Sequence, residues 1–83
     1  MAFGRKSAAP IATQHDQLVD LYNGLVEMSV TEYCRKRDDF SATYRSIATM
    51  LWPILTGLPD EEAEAQTDAL WERLRQQARA EGR

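Results

Sequence analysis

Apolar residues recur at helical spacing along three stretches of this 83-residue chain, and nowhere do they alternate with polar ones at a period of two. The pattern predicts an all-α, three-helix domain with no sheet. Leu18, Leu21, Tyr22, Leu25 and Val26 set the first helix, over about 14–28. Thr13 with Asp16 three residues on resembles a capping pair at its start. Gly24 inside it weakens helix formation by about 1 kcal/mol relative to alanine. Ser29 and Glu32 form a Ser-x-x-Glu capping box, which places the start of a second helix near Val30.

That second helix, expected over 30–56, carries Val30, Tyr33, Arg37, Phe40, Tyr44, Ile47 and Leu51 in steps of three and four. Only Arg37 interrupts the apolar stripe. From Ser46 to Pro59 there is no charge, so the second half of this helix is expected to lie largely buried, with a remainder too wide for the neighbouring helix to cover. Pro53 cannot donate to the helical ladder and clashes one turn back, which predicts a kink or an end near Met50 to Trp52. Gly57, Leu58 and Pro59 stop the element, and Asp60 is expected to cap a third helix over 60–80. Its apolar stripe, Ala63, Leu70, Trp71, Leu74 and Ala78, is thin. Carboxylates crowd its start and arginines its end, as the helix dipole favours. Residues 1–12 mix Gly, Lys, Arg, Ser, Ala and Pro without periodicity and read as a flexible, disordered basic arm ahead of a single helical domain at 13–83.

Composition narrows the function classes. The net charge is −3, with 10 Lys and Arg against 13 Asp and Glu, a balance that argues against a dedicated nucleic-acid binder. The charges are segregated, however: residues 35–45 carry +2 and residues 60–72 carry −6. Cys34 is the sole cysteine, so no internal disulfide forms, and thiolate metal sites are excluded. No apolar stretch approaches the roughly 20 residues of a membrane span, and no secretory leader is apparent, so a cytoplasmic protein without membrane contact is expected. His15 is the single histidine. Its pairing with Cys34 across the first two helices is the one nucleophile arrangement available, and it lacks a third, orienting group. No catalytic, cofactor or metal residues are therefore assigned, and no enzymatic activity is expected.

Residues 29–47, SVTEYCRKRDDFSATYRSI, carry Ser29, Val30, Glu32, Tyr33, Cys34, Arg35, Thr43, Tyr44 and Arg45 in the order of a DNA-binding motif. The stretch resembles the helix-turn-helix at the start of many insertion-sequence transposases. The resemblance implies that a second, shorter helix enters the major groove and offers Ser41, Thr43 and Arg45 to DNA. The chain departs from that pattern at the turn, where Asp38 replaces the glycine and Asp39 the buried residue after it; two carboxylates there repel phosphate. The alternative is one continuous helix in which RKRDD is a solvated face, with Arg35 and Asp39 one turn apart.

The leading expectation is a small non-enzymatic protein acting through protein contacts, as a homodimer or as an accessory, adaptor or inhibitor of a larger partner. Its interface is expected at Ile47, Leu51, Trp52, Ile54 and Leu55, with Trp71 at the rim, because aromatics and a contiguous apolar patch mark interfaces. The competing class is a DNA-binding regulator with a degenerate helix-turn-helix at 29–47. Its candidate nucleic-acid contacts are Arg5, Lys6, Arg35, Lys36, Arg37 and Arg45.

Overall fold

The computed structural model describes residues 13–82, which form three α-helices: α1 (Gln14–Cys34), α2 (Asp38–Thr56) and α3 (Asp60–Ala80). The basic arm expected over residues 1–12 lies outside the described residues. Among the described residues there is no strand, and no helix is long and apolar enough to cross a membrane. The three-helix, all-α expectation holds, and α3 occupies the predicted span.

The first helix starts as the sequence implies. The Thr13 hydroxyl accepts the Asp16 N–H at 3.1 Å, and the Asp16 carboxylate accepts the Thr13 N–H at 3.3 Å, a complete capping box. It does not end at Ser29. The second box predicted at Ser29 and Glu32 is not formed, because the Ser29 side chain is fully buried and donates instead to the Ser41 carbonyl at 2.7 Å. The break lies six residues later. The Arg37 N–H reaches back to the Glu32 carbonyl at 2.8 Å and the Lys36 N–H to the Tyr33 carbonyl at 3.0 Å, while Lys36 adopts φ 62°. These two bonds and the left-handed residue make a Schellman motif, which usually places glycine where Lys36 sits.

The expected continuous helix from Val30 to Leu51 is therefore corrected: the chain turns at Arg35–Arg37. Arg37, which seemed to interrupt a buried stripe, is the exposed residue preceding α2 and faces Glu32 at 3.5 Å. Arg35 pairs with Glu32 at 3.7 Å rather than with Asp39. The unbroken three-four phase was accidental, since the three-residue turn preserves it. His15 and Cys34 fall on the same helix, 19 residues and so about 28 Å apart, which rules out their direct pairing.

Pro53 does not end α2, which continues to Thr56. An internal proline costs about 3 kcal/mol, and the half-buried Trp52 and Leu55 on either side, both packed against the core, offset it. The helix stops at Gly57, whose φ of 73° and N–H bond to the Pro53 carbonyl at 2.8 Å form its left-handed cap. Asp60 is the first helical residue of α3 rather than its cap; that position belongs to Pro59, and no side chain caps the helix there. Asp60, Glu61 and Glu62 crowd the first turn as expected.

The core is small. Tyr22, Val26, Val30, Ala48, Trp71 and Ala78 form it, with Leu25, Leu51, Trp52, Leu55, Leu70 and Leu74 half-buried against it. At its centre three polar side chains join the helices. Besides its bond to the Ser41 carbonyl, the Ser29 hydroxyl lies 3.1 Å from that of Ser41 and accepts the Trp71 indole N–H at 2.9 Å. Ser41 donates in turn to the Ser29 carbonyl at 2.8 Å. One turn away, the Tyr22 hydroxyl meets that of Thr67 at 2.7 Å, and its ring stacks on Trp52 with centroids 4.0 Å apart.

Candidate functional site

The residues that bind α1 to α2 and both to α3 occupy only part of each helix. On α1, Tyr22, Ser29 and Tyr33 reach Thr67 and Trp71 of α3, and Val26 and Val30 lie buried beside them. Leu18, Leu21, Leu25 and Met28, spaced three, four and three apart, flank Tyr22 and Ser29 on the other side. Leu18, Leu21 and Met28 are exposed. On α2, Arg45 and Trp52 reach Asp68 and Gln66 of α3 at 2.6 and 2.8 Å. Phe40, Ile47 and Ile54, seven residues apart, lie on the opposite side of Ser41 and Ala48, with Leu51 filling the step between Ile47 and Ile54; Met50 instead borders the α2–α3 side with Glu64 and Asp68.

Both apolar stripes therefore flank the α1–α2 groove on the side away from α3. The two helices are held together along that groove from the Glu32–Arg37 pair at one end to the His15 ring, which donates to the Leu55 carbonyl at 3.0 Å, at the other. The result is one apolar face about 30 Å long and about two helix widths across. Its most open members are Phe40, 58% exposed, and Ile54, 79% exposed. No Lys or Arg interrupts either stripe; Glu32, at the turn end, is the sole charged residue in line with Leu18 and Leu25.

The predicted interface residues separate into two groups. Ile47 and Ile54 are exposed on this face, with Leu51 half-buried at its floor. Trp52, Leu55 and Trp71 are engaged within the chain: Trp52 stacks on Tyr22, Leu55 packs against the core, and Trp71 is buried between Ser29, Tyr33 and the Arg45 guanidinium, which lies 4.7 Å above its ring. Leu18, Leu21, Met28 and Phe40 belong to the face but were not expected as interface residues from the sequence. The width of the α1 apolar stripe signals an unburied remainder, but not which leucines form it, since that depends on where α3 packs.

The predicted nucleic-acid residues separate as well. Arg35, Lys36 and Arg37 are exposed on the turn. Arg45, partly exposed, bridges from α2 to Asp68 and Trp71 of α3. Arg5 and Lys6 lie outside the described residues. Beside the turn, Lys36, Arg75 and Arg79 border a shallow cleft of about 540 Å³ with Tyr33, Cys34 and Asp38. Arg75 forms a bidentate pair with Glu72, which holds the Glu72 carboxyl below its ordinary range and raises the Arg75 guanidinium. Burial pushes the Tyr22 hydroxyl up, against the lowering effect of its Thr67 bond, and the Asp68 charge adds to the rise.

Compared with protein-family models, curated proteins and solved structures, the chain matches none. The function is therefore argued from the site alone.

Proposed function

We propose that this chain is a small helical contact protein that works by pairing its α1–α2 face with another protein surface, its own copy in the first instance. The observation that carries the reading is the continuity of that face: eight large apolar side chains are exposed among the described residues, and six of them, all but Tyr33 and Met50, lie on its two stripes. Exposed apolar patches on monomers rarely exceed a few hundred Å², and larger ones mark interfaces. A face of these dimensions offers about 600 Å² per copy, so a pair buries about 1,200 Å², the lower edge of stable interfaces. The core of the single chain, rich in Ala, Ser and Thr at its buried positions, supports the same reading, because it leaves the larger apolar side chains for external contact.

The test uses charged substitutions at exposed positions outside the core. Ile47→Glu combined with Ile54→Glu is expected to leave the helical circular dichroism unchanged and to convert a light-scattering dimer into a monomer. A wild-type chain that stays monomeric at about 100 μM, well above the range of stable dimers, would overturn the reading.

The exposed cationic turn Arg35–Lys36–Arg37 supports a second reading, binding to a nucleic-acid backbone. It requires duplex affinity that falls steeply between about 50 and 200 mM salt and that is lost on replacing these three residues with alanine. Absence of binding at low salt removes it.

A further inference from the structure

Resting on the reading that the α1–α2 face pairs with a second copy, we infer that the two copies lie antiparallel about a two-fold axis, an orientation selected by the charge of the bundle's two ends. The starts of α1 and α3 and the end of α2 share one end of the molecule, tied by the His15 bond to the Leu55 carbonyl. That end carries Asp16, Asp20, Asp60, Glu61, Glu62 and Glu64 and, among the described residues, no Lys or Arg. The opposite end, where α1 and α3 finish, holds every described Lys and Arg except Arg45, including the exposed turn cations and Arg79. It also holds Glu32, Asp38, Asp39, Glu72 and Glu81, so among the described residues that end is close to neutral while the other is strongly acidic; Glu32 and Glu72 are engaged by arginines.

Two-fold pairing uses the same patch on both copies, and the patch here is an elongated face running from the acidic end to the one that holds the turn cations. A parallel pair brings the two acidic ends together. An antiparallel pair sets each against the near-neutral end that exposes the other copy's turn cations, and like-charge juxtaposition is what fixes register in such contacts. The groove offers little else to choose between the two orientations, since its side chains are apolar along its length.

Orientation is read by electron-spin distance measurement on two single-label variants, each in a Cys34→Ala background. A label introduced by Gln14→Cys sits at the acidic end, about 16 Å along the helix from mid-face. The antiparallel pair is expected to separate these labels by about 35 Å, the parallel pair by less than about 20 Å. A label introduced by Ile47→Cys, at mid-face, is expected to give a short distance in either case and reports that pairing occurs through this face. Raising sodium chloride from about 25 to about 250 mM is expected to weaken the antiparallel dimer about three- to tenfold, as end-to-end attraction is screened. Short distances at both positions, or a dimer that tightens as salt rises, would overturn the orientation and leave the contact reading intact. Long distances at both positions place the contact elsewhere on the molecule and overturn both. A chain that remains monomeric in both variants and in the wild type also removes the contact reading itself.

Discussion

Replacing Ser29 with alanine removes a single oxygen atom, yet the geometry around that atom makes it one of the most consequential positions in the chain. The Ser29 side chain is fully buried and its hydroxyl takes part in three hydrogen bonds, to the Ser41 carbonyl, the Ser41 hydroxyl and the Trp71 indole. Ser29→Ala leaves the Trp71 N–H without a partner in a site closed to water. The Ser41 hydroxyl retains its bond to the Ser29 main-chain carbonyl, so only part of the network is lost. A net hydrogen bond contributes about 1 kcal/mol and an orphaned buried donor costs about 1–3 kcal/mol, giving an expected destabilisation of about 2–4 kcal/mol. Against a stability of about 4–12 kcal/mol for a chain of this length, that is a large fraction. The melting temperature should fall by about 10–25 °C. The assay is urea and thermal unfolding followed by circular dichroism at one fixed protein concentration, since association shifts apparent stability. Trp71→Phe made in both backgrounds separates the orphaned donor from the lost packing. In the Ser29→Ala background it should cost about 1–2 kcal/mol less than in wild type, because the unpaired N–H is removed with the indole. A Ser29→Ala change below about 0.5 kcal/mol, with additive double mutants, would refute the argument.

Two further outcomes follow from the same structure. The raised Tyr22 hydroxyl favours its neutral form in the folded chain, so its contribution is fully present below the unfolded value of about 10 and is lost as pH rises through the folded value. Urea midpoints measured from pH 8 upward should therefore fall more steeply above about pH 10 in wild type than in Tyr22→Phe; parallel profiles would contradict this. Lys36 holds φ 62° without the freedom of glycine. Lys36→Gly is expected to raise stability by about 0.5 kcal/mol, relief of left-handed strain outweighing the added chain entropy, and a loss of stability would show that the lysine side chain itself supports the turn.

How far the sequence carried these conclusions differs by element. The third helix was legible because Gly57, Pro59, the leading carboxylates and the trailing arginines all agree with its apolar period. The start of α1 was legible from Thr13 and Asp16 for the same reason. The junction between α1 and α2 was not. It turns through a lysine rather than a glycine, and its three residues keep the stripe in phase, so neither composition nor periodicity marks it. Ser29 and Glu32 misled because a capping box and a buried hydroxyl have the same sequence, and only the partner across the groove, Ser41, distinguishes them. For the candidate site, Ile47, Leu51 and Ile54 could be found from an apolar, charge-free segment. The α1 half of the face could not, because deciding which leucines are buried requires knowing where α3 packs. Trp71 drew attention as an aromatic, yet its indole is used inside the chain.

The central claim is that the α1–α2 face is covered in solution. In the single chain Ile54 and Leu21 are 79% and 53% exposed, so their methyl groups should be accessible to a soluble paramagnetic agent much as that of the exposed Ala65 on α3 is. Methyl relaxation measured with such an agent, at a protein concentration of about 500 μM where a micromolar dimer is nearly saturated, tests this directly. With the face covered, the Ile54 and Leu21 methyls are protected to nearly the degree of the buried Val26. Relaxation matching that of Ala65 would contradict it.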